Sequence, residues 1–323
     1  MQTLFRLSKN GTGRLCTAEE MQSCGVGGRK RTGADGGIEM QQMMITGKTE
    51  LEYRIKTAID RLQAFEPEEG YYLAFSGGKD SQCIYHLAKE AGVKFDTHYN
   101  LTTVDPPELV KFIKEKYTDV EINYPKKTMW TLIEEKGLPT RVRRYCCKIL
   151  KEGGGEGRIC VTGVRWAESS KRKKNRTTFE ILGNKDKVLF NDNDDERRLF
   201  ENCAIKGRRV INPIIDWSDC NVWDYIKSRK IEYCTLYDEG FKRLGCVGCP
   251  LSSNNKRELE RWPKYYEAYK RAVQRFIPGY LERCKKRGAD PFLTEADEWM
   301  EWWINGKTDD WMGEALEGQE YFG

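Results

Sequence analysis

The sequence predicts an α/β protein: a doubly wound, mainly parallel sheet followed by a helical C-terminal region. Between residues 47 and 250, short apolar runs alternate with helical segments, the pattern of strands joined by crossover helices. The glycine turn SGGKDS links the first of these runs directly to a helix. Beyond residue 250 the runs stop, and aromatic residues recur at helical spacing.

Residues 1–46 include CGVGGRKRTGADGGIE, rich in glycine and charge and without an apolar period. They read as a disordered extension, with Met43 and Met44 as alternative starts. ELEYRIKTAIDRLQAF then carries apolar residues at helical spacing. YYLAF is a strand, and the helix after the glycine turn presents Ile84, Leu87 and Ala88. KFDTHYNL is a second strand, and prolines open the helix PPELVKFIKEKY, where they suit a first turn. VEINYP is a third strand, TMWTLIEEKG a helix with a glycine stop, and RICVTGV and RRVINPII are further strands. In residues 251–323, RELERWPKYYEAYKRAVQRF sets Trp262, Tyr265, Tyr266, Tyr269, Val273 and Phe276 along one stripe. TEADEWMEWWINGK is a second aromatic helix. Both are expected to pack on the α/β body, as Trp217, Trp223 and Tyr225 are expected to do within it.

With 39% hydrophobic and 33% charged residues, the composition is that of a soluble chain. No apolar run approaches the roughly 18 residues of a membrane span, and no secretory signal opens the chain, so a cytoplasmic location is expected. Arg141 to Arg176 carries twelve Lys and Arg against three Glu. Such a local basic field suits the phosphates of a nucleotide or nucleic acid, and equally a solvated loop.

SGGKDS has the chemistry of an anion site. A helix N-terminus offers unpaired N–H groups and partial positive charge. Gly77 and Gly78 let the backbone curl so that successive N–H groups point inward. Ser76 and Ser81 add hydroxyls, Lys79 a full charge, and Asp80 a carboxylate able to help hold Mg²⁺. The run is neither a Walker A motif nor G-x-G-x-x-G. An acidic run, NDNDDE at 191–196, is a weaker Mg²⁺ candidate, since surface acids commonly cluster on solvated loops.

Twelve cysteines stand against only two histidines, His86 and His98, so any metal site must be rich in thiolate. RRYCCKIL places Cys146 beside Cys147, and LGCVGCP spaces Cys246 and Cys249 as C-x-x-C. Neighbouring Lys and Arg lower thiol pKa values and favour ligation. Four cysteines suit zinc, an iron–sulfur cluster or redox thiols; an adjacent pair reaches one small ion awkwardly but can serve two irons of a cluster. Cys83, Cys160 and Cys220 read as small core residues.

Four segments in order resemble one known family. SGGKDS is similar to the PP-loop of the ATP pyrophosphatases and of the adenylylsulfate and phosphoadenylylsulfate (PAPS) reductases. VTGVRWAESSKR, NPIIDWSDCNVWDYI and LYDEGFKRLGCVGCP are similar to three further motifs of that family. The resemblance spans about residues 70–250 and implies a Rossmann-like PP-loop fold with an adenine nucleotide across the carboxyl ends of the strands. It implies that Ser76, Gly77, Gly78, Lys79, Asp80 and Ser81 hold the anionic end. Arg165 and Arg172 would face the same anion, and Gly163 would let the backbone approach the nucleotide. It also implies a [4Fe–4S] cluster on Cys146, Cys147, Cys246 and Cys249.

Sulfonucleotide reductases of this family use a cysteine in an E-C-G-x-H tail, whereas this chain ends EALEGQEYFG, with Cys284 its last cysteine. Three activities follow from the resemblance. One is adenylylation with ATP–Mg²⁺, with Lys79, Asp80, Arg165 and Arg172 as catalytic residues, coupled to sulfur transfer to a tRNA or DNA acceptor or from a sulfur- or electron-donor protein. The second is reduction of adenylylsulfate or PAPS to sulfite through a cysteine such as Cys284. The third is nucleotide binding without turnover.

Overall fold

The strands lie in the order β3-β2-β1-β4-β7-β5-β6, in one seven-stranded sheet. A computed structural model describes residues 49–182, 188–190 and 208–305. The 1–46 segment, the acidic run at 191–196 and the chain's last residues lie outside the described residues. The strands are β1 (Tyr71–Phe75), β2 (Phe95–Asn100), β3 (Val120–Asn123), β4 (Cys160–Val161), β5 (Phe179–Leu182), β6 (Val188–Phe190) and β7 (Arg208–Ile211). The five strands from β3 to β7 are mutually parallel, and β5 lies antiparallel between β7 and β6 at the edge. The sheet is therefore doubly wound and mainly parallel, as expected, with an antiparallel edge.

The hairpin strands β5 and β6 were not expected from the sequence. Glu180 is buried in β5, where it accepts from Arg176 Nε at 2.7 Å and Asn212 Nδ2 at 2.6 Å. A charged residue inward on a strand masks the apolar pattern by which strands are recognised.

Helices α1 (Glu50–Ala64), α2 (Lys79–Ala91), α3 (Pro107–Lys116), α4 (Met129–Lys136), α5 (Tyr145–Leu150) and α6 (Ser170–Asn175) precede β5. Helices α7 (Asp219–Ser228), α8 (Asn255–Arg261), α9 (Pro263–Arg287) and α10 (Ala296–Ile304) follow β7. Thr49 caps α1 in a capping box with Glu52, Thr128 caps α4, and Ser218 caps α7 in a box with Asn221. α1, α2 and α7 pack against one another, as α4 does against α9 and α9 against α10. The expected single helix over 257–276 is broken at Trp262, because Pro263 has no N–H and opens a new helix as its first residue.

The aromatic residues of α9 and α10 fill the core. Trp262, Tyr269, Phe276, Trp299 and Trp303 are buried. Their polar atoms reach back to the sheet body: Tyr265 Oη donates to the Asp105 carbonyl at 2.7 Å and Tyr269 Oη to the Val247 carbonyl at 2.9 Å. Trp303 Nε1 donates to the Pro139 carbonyl at 2.7 Å. Trp217 and Tyr225 are core residues as expected, and Trp223 is half-buried. Cys83 and Cys160 are buried, but Cys220 is half-buried and disulfide-bonded, which corrects its reading as a core thiol. Among the described residues no helix is long and apolar enough to cross a membrane.

Candidate functional site

Strand β1 has β2 on one side and β4 on the other, so the chain leaves it in opposite directions on its two flanks. Ligands of such sheets bind outside the carboxyl ends of the strands at this reversal. Two loops meet there: Ser76–Ser81 after β1, and the segment holding Gly163 and Arg165 after β4.

The first loop is built to face an anion. Gly77 adopts φ +70°, and a Cβ there would stand 2.7 Å from Ile113 Cδ1 and 2.8 Å from Leu109 Cδ1, so only glycine fits. Side chains tie down the loop's carbonyls. Ser81 Oγ donates to the Gly78 carbonyl at 2.8 Å and Gln82 Nε2 to the Gly77 carbonyl at 3.1 Å. Ser76 Oγ donates to Ser81 Oγ at 3.2 Å. Gly78 is the N-cap of α2 and supplies no side-chain cap. The N–H groups of Gly77 and Gly78, both buried, have no partner among the described residues. Buried N–H groups at a helix start are the donors that a phosphate uses.

A four-member ion network lies beside these donors. Arg165, only 1% exposed, donates from Nε to Asp80 Oδ1 at 2.6 Å, from Nη2 to Asp219 Oδ1 at 2.7 Å, and from Nη1 to the Trp217 carbonyl at 3.1 Å. Lys79 Nζ stands 3.3 Å from Asp219 Oδ1 and 3.5 Å from Asp80 Oδ2. Burial alone would raise the Asp219 pKa, but Lys79 and Arg165 outweigh it and hold the carboxyl below the ordinary range.

The sequence-derived residues thus take different places. Ser76 to Ser81 form the loop itself. The guanidinium of Arg165 is engaged by the two carboxylates and a carbonyl, so it fixes Asp80 and Asp219 rather than presenting a fork to a ligand. A Cβ on Gly163 would meet the Asp80 carbonyl carbon at 3.0 Å, so this glycine admits the β4 exit against the start of α2. Arg172 pairs with Glu168 and is half-buried. Burial, with the neighbouring Arg243 and Arg176, pushes its guanidinium down to about 10, the mark of a cation crowded by cations.

Two residues of this site escaped the sequence reading. Asp219 is the first residue of α7, where an acid reads merely as complementing the helix dipole. Tyr237 accepts the Lys79 N–H on its hydroxyl at 2.9 Å and meets Trp223 edge-on at 5.0 Å. Its signal was present in LYDEGF, but nothing local says what its hydroxyl touches.

The four expected metal-binding cysteines gather elsewhere. Cys146, Cys147, Cys246 and Cys249 line one cavity, closed by Met129, Leu150, Tyr269 and Trp303. They surround this space without converging on a point: among the described residues no group of three or more His, Cys, Asp or Glu stands close enough to hold one metal ion. A hydrogen bond from Cys146, with Arg144 and Lys151 nearby, lowers the Cys147 pKa against the effect of burial. Arg144 Nη2 lies 3.5 Å from Cys147 Sγ. Burial raises Cys246, which donates to Thr102 Oγ1 at 3.4 Å. Lys151, exposed as a residue, brings its ammonium to Cys246, a contact that raises the lysine pKa. Lys151 and Thr102 were also missed by the sequence reading. Cys284 lies in the last turns of α9 and is half-buried.

The phosphoadenosine phosphosulfate reductase domain matches residues 70–252, more than half of the chain. The chain belongs to this family. Within the PAPS reductase family its curated relatives include an uncharacterized protein of Methanocaldococcus jannaschii, 28% identical over 224 residues, covering 67% of this chain and 50% of that protein. An adenosine 5′-phosphosulfate reductase of Neisseria meningitidis is 30% identical over 122 residues, covering 37% of this chain and 43% of the enzyme. The chain therefore spans half or less of these two relatives. A solved PAPS reductase of Candida auris, in complex with phosphate, aligns at TM-score 0.40 with 16% identity, over 62% of this chain and 96% of that one. The family assignment makes the loop a PP-loop and the domain a nucleotide-binding one.

Proposed function

We propose that this PAPS reductase-family domain binds ATP with Mg²⁺ and directs an acceptor's nucleophile at the α-phosphorus, as the activating half of a sulfur transfer. The observation that carries this reading is the pair of carboxylates, Asp80 and Asp219, beside an anion loop. Lys79 and Arg165 both meet Asp219 at Oδ1, which leaves its Oδ2 for a cation. Mg²⁺ suits the pair, because it takes one or two carboxylates and completes its shell with phosphate oxygens and water. The Asp219 side chain is 52% exposed and so open to such an ion.

In this arrangement the Gly77 and Gly78 N–H groups and Lys79 hold the β- and γ-phosphates. An acceptor oxygen bonds to the α-phosphorus, the bond from that phosphorus to the β-bridging oxygen breaks, and Mg²⁺–pyrophosphate leaves. The acceptor's proton passes to water. Lys79 and the loop N–H groups neutralise the charge that grows on the leaving oxygen. Arg165 holds both carboxylates, and Arg172 adds positive field beside them.

The test is ATP binding with and without Mg²⁺. The wild-type protein is expected to bind ATP at least about tenfold more tightly with Mg²⁺, and Asp219→Asn is expected to lose most of that gain. Binding that ignores Mg²⁺ contradicts the reading. The second reading, reduction of a sulfonucleotide, draws on the Neisseria relative and predicts sulfite from adenosine 5′-phosphosulfate.

We also propose that Cys146, Cys147, Cys246 and Cys249 would hold a [4Fe–4S] cluster: the four thiols line one cavity, one is favoured as thiolate, and Arg144 and Lys151 would offset the charge. Such a cluster would supply redox and sulfur chemistry in that cavity. It would also link segments about a hundred residues apart, so it would stabilise the fold. Cys246→Ser is expected to lower bound iron and acid-labile sulfide and to reduce the melting temperature of the anaerobically prepared protein. Unchanged iron, or zinc in its place, contradicts the cluster.

A further inference from the structure

A group of cations beside the nucleotide loop has no role so far. Lys171, Lys173 and Lys174 are exposed on α6, and Lys242 and Arg243 are exposed in the segment leading to Cys246. Among the described residues, none of these five side chains makes an ion pair or hydrogen bond. Arg172 and Arg176, interleaved with them, are paired with Glu168 and Glu180. Arg243 is close enough to Arg172 to lower its basicity, so the two segments form one surface. Arg172 also feels the charges of Asp80 and Arg165, and Arg243 is three residues before Cys246.

Unpaired like charges held together repel, and the arrangement is favourable when a matching anion arrives. α6 spans about 9 Å at 1.5 Å per residue, and its lysines at 171, 173 and 174 fan over roughly 160° of its circumference. A single nucleotide end does not cover such a fan of charge. A polymer with one phosphate per about 3.4 Å of strand does. An acidic protein partner is less well matched. Protein interfaces are built on an apolar core, and no exposed large hydrophobic residue among the described ones lies in α6 or at 242–243.

We propose that this surface binds the phosphate backbone of a nucleic acid and presents it as the acceptor, an assignment that rests on the adenylylating reading of the loop. Lys171, Lys173, Lys174, Lys242 and Arg243 grip the backbone, and a base or sugar of the bound strand reaches toward the nucleotide's α-phosphorus.

The test uses the full chain, a fluorescent RNA hairpin, a DNA duplex of matching length, and polyglutamate, titrated at several salt concentrations. Nucleic acid is expected to bind the wild type with a steep salt dependence. The combined substitutions Lys171→Ala, Lys173→Ala and Lys174→Ala are expected to weaken it at least about tenfold and to reduce the logarithmic salt slope by about 2 to 3. ATP–Mg²⁺ affinity of that variant stays unchanged. The RNA and DNA arms show which polymer is the acceptor class. No binding, equal binding by the variant, or tighter binding of polyglutamate overturns the proposal. Failure of the wild type to bind ATP, read in a separate titration, overturns the reading of the loop instead.

Discussion

Lys79→Ala is expected to weaken ATP–Mg²⁺ binding by about 2–3 kcal/mol, roughly a hundredfold, while leaving the fold intact. Lys79 is the first residue of α2 and only 6% exposed. Its ammonium is held between Asp80 and Asp219 rather than by solvent. Its backbone N–H is fixed by Tyr237, so the lysine stem starts from a rigid point. Charge-assisted hydrogen bonds to phosphate are about twice as strong as neutral ones, and a preorganised cation loses little on binding. Both carboxylates keep Arg165 as a partner in the variant, which is why stability is spared. Isothermal titration with the melting temperature measured in parallel checks both halves. Unchanged affinity would show that the phosphates lie elsewhere.

Arg165→Met has the opposite signature, a large effect on stability. Its guanidinium is buried and meets two carboxylates and a carbonyl. Removing one partner of a buried charge pair costs about 3–5 kcal/mol, because the remaining charge is left uncompensated. Asp219 is half exposed and solvent screens it, so the expected loss is at the low end, about 3 kcal/mol. The pH dependence has a definite sign. The Asp219 pKa is depressed in the folded protein, so its contribution is complete above the unfolded Asp value and fades as pH falls through the folded value. Losing Arg165 removes part of that depression. The acid limb of stability should therefore flatten in the variant between about pH 5 and about pH 2. Thermal unfolding across this range, wild type against variant, reads both effects. A variant as stable as the wild type would mean that the network is not an anchor.

The difference between Lys79 and Arg165 also shows what was legible in the sequence. The loop was legible because its information is local: two glycines, a strand before, a helix after. The parallel strands were legible from alternating apolar runs, and the cysteine pairs from their spacing. The role of Arg165 was not, because it depends on Asp80 and Asp219, which lie 85 and 54 positions away in the chain. Tyr237 reaches the loop across 158 positions. Glu180 hid a strand by placing a charge where an apolar residue was expected, and Pro263 cut one aromatic stripe into two helices. Local chemistry is written in neighbouring residues, whereas the partners that tune it are chosen by the fold.

The central claim is that the PP-loop holds the phosphates of ATP with Mg²⁺. Competitive equilibrium binding to the anaerobically purified, iron-replete protein tests it most directly, with ATP–Mg²⁺, adenylylsulfate and PAPS set against one labelled nucleotide. The account predicts that ATP–Mg²⁺ displaces the label at the lowest concentration and that removing Mg²⁺ abolishes its advantage. If adenylylsulfate or PAPS displaces it first, the loop holds a sulfate-bearing nucleotide, the adenylylating reading fails, and Cys284 becomes the residue to substitute.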